Sequence, residues 1–395
     1  MRSMKMLGGV IVSLLIASNA GFAAEKQGGI LRMYHRDSPA SASIHEEATY
    51  SVNVPFMAVF NNLVMYKQDV AQNSVDSIVP DLATSWAWSD DKKKLTFKLR
   101  EGVKWHDGKP FTAADVKCTF DMVMGKSQQK FRKNPRKAWY NQVEDITTNG
   151  DYEVSFNLKR PQPALITLLA SGYSPVYPCH VSPAQMRTHP IGTGPFKFVE
   201  FKANESIKLV KNPDYWKKGL PHLDGIEYTI IPNRSTAILG FVSGKFDMTF
   251  PTEVSIPLLK DVKSQDPKAI CVVAPNNVST NIIVNRASPP FDNPDIRKAL
   301  ALALDRKAFI SILFEGQADI GGTMLPQPDG IWGMPKEMLE TIPGYGPDVK
   351  ANREEARKLM EKAGYGPNKH LSVKVSTRNI AVYRDPAVIL IDQLK

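Results

Sequence analysis

The sequence predicts an α/β protein with discontinuous domains, and three observations carry that expectation. Strand and helix patterns alternate near the start of the 395-residue chain and again from about Gly194 to Val273. Between them lies a stretch rich in strands and turns. From Asn281 onward the pattern changes to long helices with Pro/Gly-rich connections. A chain ordered βα, β-rich insert, αβ and then a second lobe leaves one lobe, builds an insert and returns.

Taken in order, Arg2 and Lys5 precede an apolar run from Leu7 to Ile16, and Gly21 and Ala23 supply small residues. This reads as a secretory signal over residues 1–23, cut after Ala23. The run is too short to span a bilayer, and no Cys near the cut could carry a lipid. Gly29 to Tyr34 is expected as the first strand, His35 to Ser43 as a turn-rich stretch and Val52 to Leu63 as a helix. Leu95, Phe97 and Leu99 alternate with Thr96, Lys98 and Arg100, the period of a half-buried strand. Asp107-Gly108-Lys109-Pro110 makes a turn. Thr112 and Asp115 resemble a capping box for a helix whose apolar face is Val116, Phe120 and Val123. Further strands are expected at Tyr152–Leu158, Ser206–Val210, Gly225–Ile231, Phe246–Phe250 and Leu371–Val375. Ser235–Val242 reads as a helix ending near Gly244. Asp385-Pro386 reads as the start of another, with Val388, Ile391 and Leu394 on one face.

The net charge is +10, and the lysines are scattered rather than gathered into a stripe with aromatics. A solvated basic surface is expected and nucleic acid is not, while attraction of acidic solutes stays open. Cys118, Cys179 and Cys271 allow at most one disulfide. Buried apolar thiols are the default expectation; a Cys118–Cys179 bridge is conceivable in an oxidising compartment, but the sequence does not establish it.

An enzyme is not expected. The GxSxG, HExxH and P-loop signatures are missing from the sequence. His45-Glu46-Glu47 lacks a second His at i+4. His106-Asp107 reads as a structural turn with a surface imidazole. His35 and His45, ten residues apart, make a poor metal pair. Trp86, Trp88 and Trp105 are expected in a core. No cofactor and no metal is expected.

Several stretches go beyond ordinary structural grammar. They are Pro80-Asp81-Leu82-Ala83, Trp86, Trp105-His106-Asp107-Gly108, Gly192-Thr193-Gly194-Pro195-Phe196, Asn212-Pro213-Asp214-Tyr215-Trp216, Leu223-Asp224-Gly225-Ile226 and Phe291 through Arg306. In wording and order they resemble the extracytoplasmic solute-binding proteins of the peptide/nickel family, the binding subunits of ABC importers. The resemblance implies a periplasmic binding protein-like type II fold. It implies a first lobe of residues 24–60 and 188–277, an inserted β-rich domain of 61–187 and a second lobe from 278, incomplete at 395. It implies a periplasmic monomer that takes a short peptide and docks on a membrane permease. A metal chelate, an opine or an oligosaccharide is the alternative solute, and a periplasmic hydrolase or a chaperone-like protein the alternative class.

Peptide ligands in that family are held partly as an added strand. The cleft wall is expected at Tyr34, His35, Arg36 and Asp37, with Arg36 suited to a carboxylate and Asp37 to an amino group. Phe250, Thr252 and the neighbouring Pro251 and Glu253 follow a short strand, and Asn277 and Thr280, with Asn276, lie at the lobe crossing. Peptide-binding relatives anchor the ligand's amino terminus through an acidic residue in a second-lobe loop that would lie beyond Lys395. The sequence therefore reads as a fragment or a truncated frame, and residues 24–395 alone are expected to bind weakly or not at all.

Overall fold

The structure, a computed structural model, describes residues 26–70, 73–274, 280–322, 325–326 and 333–395. The expected signal and Asn276 and Asn277 lie outside the described residues. The strands are β1 (Ile30–His35), β2 (Val64–Tyr66), β3 (Ile78–Pro80), β4 (Ala83–Trp88), β5 (Lys94–Leu99), β6 (Val143–Thr148), β7 (Glu153–Leu158), β8 (Phe196–Lys202), β9 (Ser206–Lys211), β10 (Gly225–Ile230), β11 (Gly321–Gly322) and β12 (Leu325–Pro326). The helices are α1 (Tyr50–Phe56), α2 (Ala113–Met124), α3 (Leu165–Ala170), α4 (Pro183–Met186), α5 (Arg234–Val242), α6 (Ile256–Gln265), α7 (Pro294–Ala303), α8 (Arg306–Phe314), α9 (Lys336–Leu339), α10 (Val349–Lys362) and α11 (Ala381–Gln393).

The first sheet runs β1-β10-β9-β8, with β1 parallel to β10 and the other pairs antiparallel. Successive residues of a strand face opposite sides, and β1 uses both. Met33 joins the large apolar core that continues into the inserted strands. Tyr34 joins a second cluster with Ala237, Ile238, Phe246, Phe250 and Val262. Sequence elements far apart thus meet on the two faces of one short strand.

The second sheet, β4-β5-β7-β6, is antiparallel throughout. Leu95, Phe97 and Leu99 are buried on it, as the alternation predicts. Helix α2 packs against β6 and β7. Its first turn carries the expected capping box, Thr112 with Asp115. Phe120 meets Phe156 with ring centroids 5.2 Å apart. A disulfide joins Cys118 to Cys179, and Cys271 is free.

The unusual sequence stretches converge on Asn61. Its amide donates to Asp81 at 3.0 Å. Its side-chain oxygen accepts from the Thr193 hydroxyl at 3.1 Å and the Trp216 indole at 3.3 Å. Lys217 reaches Asp81 at 2.7 Å. Burial raises the Asp81 pKa, and Lys217 pulls the other way. Gly192 and Gly194 lie against the main chain of Val59: an added Cβ would stand 1.8 Å from its oxygen and 2.5 Å from its carbonyl carbon, respectively. Only glycine fits at these two positions.

Five expectations need correction. The helix expected over Val52–Leu63 is α1, which ends at Phe56 and passes into a 3-10 turn, Met57–Val59. Phe246–Phe250 is not a strand. It touches β1 through a single bridge, Met33 to Met248, because the Asp247 carboxylate takes the Arg32 N–H at 2.8 Å in place of a main-chain carbonyl. Leu371–Val375 forms no strand, and Val373 and Val375 are exposed. Helix α11 begins five residues before Pro386 and carries that proline inside it. Its Val388, Ile391 and Leu394 are exposed, and Leu390 is the buried residue. The His106 ring is not a surface group: Nε2 donates to the Gly194 carbonyl at 3.0 Å and Nδ1 accepts from the Gly192 N–H at 3.3 Å. It therefore ties the turn to the glycine-rich loop. Trp105 is buried and Trp86 and Trp88 pack against the same core, as expected.

Candidate functional site

The carboxyl edge of an open α/β sheet is where such folds meet ligands. Here that edge is the end of β1 and the residues after it. Tyr34 is buried edge-on to Phe246 at 5.7 Å. His35 is fully buried; its Nε2–H donates to the Ser51 carbonyl at 2.9 Å and its Nδ1 accepts from the Asp37 N–H at 3.3 Å. Burial drives its pKa down to about 4, so the imidazole is neutral and both nitrogens are used.

Arg36 is buried as well. Its Nη1 pairs with Glu253 at 3.1 Å, and its guanidinium lies 5.2 Å from the Phe250 ring and 5.7 Å from the Tyr383 ring. Glu253 also receives Arg234 at 3.7 Å. The turn that presents Glu253 passes through Thr252, exposed and held at φ +67. A β-branched residue in that region is strained, and such strain collects at functional sites. Phe250 is fully buried behind it.

Asp37 accepts the Ser51 hydroxyl and the Arg378 guanidinium. Arg378 comes from the irregular stretch before α11. From the same region Asp385 meets Arg234 at 3.7 Å, and Tyr383 covers Arg36. Lys260 of α6 pairs with Glu315, just past α8. Among the described residues, three ion pairs therefore join residues before 275 to residues after 280. Arg36, Arg234 and Arg378 face Asp37, Glu253 and Asp385, so the cluster balances its charge.

Of the residues expected at the site, the structure brings Tyr34, His35, Arg36, Asp37, Phe250 and Thr252 together. Thr280 is exposed on the connecting stretch, and Asn277 lies outside the described residues. Asp37 and Arg36 are each paired internally. Sequence reasoning missed Ser51, Arg234, Arg378, Tyr383 and Asp385. None sits in a motif, and only the long-range fold shows them. Among the described residues no group of three or more His, Cys, Asp or Glu has metal-binding geometry.

Residues 77–395 match the family described as bacterial extracellular solute-binding proteins, family 5, middle region. The chain belongs to this family. Its members are binding proteins rather than enzymes. The glutathione-binding protein GsiB of Pectobacterium atrosepticum is 30% identical over 305 residues, covering 75% of this chain and 55% of that protein. Heme-binding protein A of Haemophilus influenzae is 28% identical over 340 residues, covering 80% of this chain and 58% of that one. The family 5 chain thus spans little more than half the length of these curated relatives. The solved structure of the Escherichia coli murein tripeptide binding protein MppA shares the fold, with a TM-score of 0.76 at 20% identity, over 94% of this chain and 73% of that one.

Proposed function

We propose that the chain is the solute-capturing component of an ABC importer, a periplasmic monomer that takes a short peptide and hands it to a permease at the inner membrane. The first lobe is assigned to residues 24–60 and 188–277, the inserted domain to 61–187 and second-lobe structure to 278–395. The ligand lies between the β1 edge and the Arg378–Asp385 region. Asp37 faces it directly. Tyr34, His35, Arg36 and Phe250 shape the wall behind, with Thr252 at its rim and Asn277 and Thr280 at the crossing.

One observation carries this reading. The sheet edge meets the later segment through ion pairs and a ring contact, not through a continuous apolar core. Polar contacts of this kind can part and re-form, as a hinged cleft requires. A solute then shifts the open–closed equilibrium by the difference in its affinity for the two states, with no covalent step. Family membership and a relative named for glutathione support a peptide as the solute.

The test is thermal unfolding of the chain against peptide, metal-chelate and sugar libraries, with each solute recovered afterwards. A solute at a hundred times its dissociation constant stabilises by about 2.7 kcal/mol. The expected result is a weak shift or none for residues 24–395 alone, and, for the protein extended by whatever coding sequence follows Lys395, a shift with short peptides and recovery of the peptide intact. No shift of the extended protein with any class, or turnover of the solute, would overturn the capture reading.

A further inference from the structure

The segment that joins α2 to β6, far in sequence from the cleft wall, carries a local excess of charge. Lys126, Lys130, Arg132, Lys133, Arg136 and Lys137 fall within twelve residues, and no Asp or Glu stands between Asp121 and Glu144. The segment is irregular but pinned. Phe131 is buried and stacks on His45 at 5.4 Å. The Asn134 amide donates to the Val123 carbonyl, near the end of α2, at 2.7 Å. Arg136 is buried and donates to the carbonyls of His45 and Glu47. With Phe131, Asn134 and Arg136 anchored to the protein, Lys130, Lys133 and Lys137 are left exposed.

Little of this charge is neutralised from within. Arg132 meets Glu47 at 3.2 Å, and among the described residues it is the one member of the six in an ion pair. Lys126 gives its ammonium to the Glu144 carbonyl, which leaves the charge uncancelled. The Cα atoms of Lys130 and Lys133 are at most about 11 Å apart, close to the Debye length of about 8 Å at physiological salt. Like charges pinned at that spacing repel, and an anionic neighbour relieves them. Both guanidiniums, whose forks read shape, are used within the protein; the lysines left outside read charge density.

We propose that residues 126–137 form a docking patch for an anionic lipid bilayer, with Lys130, Lys133 and Lys137 toward the headgroup phosphates. A protein partner is anchored by apolar and aromatic groups at the centre of its interface. Among the described residues no large apolar side chain between residues 75 and 199 is exposed, so this part of the surface offers no such centre. A charged bilayer needs none, because a polybasic cluster is drawn to it by charge alone. Among the described residues no helix is long and apolar enough to cross a membrane, and the contact made here is peripheral. It uses no residue of the ligand cleft and does not depend on which solute is carried.

The experiment is co-sedimentation of the full chain with vesicles of phosphatidylcholine alone, or with about 30% phosphatidylglycerol, at low salt. Wild type is compared with K130Q/K133Q and with K93Q/K94Q, which removes the same charge from the exposed turn before β5. All the lysines changed are exposed, and circular dichroism checks each fold. Residues 1–25 are common to the three chains and cancel in the comparison. Wild type should bind the phosphatidylglycerol vesicles and release them at about 0.5 M salt. K130Q/K133Q should weaken that binding at least about fivefold, and K93Q/K94Q less than about twofold. Equal losses in the two variants would show that net charge acts without a patch, and equal binding to both vesicles that charge does not act. Either result, or no binding to vesicles, would overturn the proposal. So would tighter binding to soluble polyglutamate than to the vesicles, which would assign the patch to an acidic protein. None of these outcomes bears on solute capture, which the thermal-unfolding test reads separately.

Discussion

Three histidines show how burial sets chemistry one residue at a time. His35, His45 and His106 are each packed away from water, and desolvation lowers their pKa values to about 4, 3 and 4. In the unfolded chain each returns to the ordinary value near 6.5. A folded value below the unfolded one means that the unfolded state takes up protons first as the pH falls. The stability owed to these neutral rings is complete above 6.5 and drains away between 6.5 and about 3 to 4. Asp81 opposes the trend at its lower end, since burial raises its pKa. Urea unfolding at pH 7 and pH 5 should show a loss of the order of 1–2 kcal/mol per imidazole at the lower pH. An unchanged midpoint would mean that these rings are solvated. The sequence placed two of these histidines in loops and His106 in a turn. It could not show that His106 is bonded at both nitrogens to a glycine loop more than eighty residues away.

Elements were legible where their signals are local. The alternation of Leu95, Phe97 and Leu99 and the Thr112–Asp115 box are complete within a few residues, and β5 and α2 appear as expected. Elements defined by a distant partner were not. Phe246–Phe250 has a strand's composition, but Asp247 uses its side chain where a ladder bond would form. Leu371–Val375 has the alternation without a strand beside it among the described residues. Pro386 suggested a helix start by its fit to a first turn, yet α11 runs through it. The Cys118–Cys179 bridge overturns the default expectation of buried free thiols, because pairing depends on which loop passes α2. It closes a separation of 61 residues. Replacing both cysteines with alanine should lower unfolding free energy by about 2–4 kcal/mol, measured by urea denaturation of the chain with and without the bridge. Equal stabilities would show that the bridge does not constrain the unfolded chain.

At the scale of the whole molecule, the family and the α/β architecture were readable because their marks are strung along the sequence. Those marks turn out to be structural: Asp81, Thr193 and Trp216 meet at Asn61, inside the junction of sheet and insert. The candidate site was only half readable. Its first wall follows β1 directly, but Arg234, Arg378, Tyr383 and Asp385 reach it from other elements. The central claim is that a solute is captured between that wall and the Arg378–Asp385 region. Amide hydrogen exchange with and without a saturating peptide tests it most directly. The account predicts new protection confined to residues 34–38, 250–253 and 378–385. Protection elsewhere, with these three segments unchanged, would contradict it.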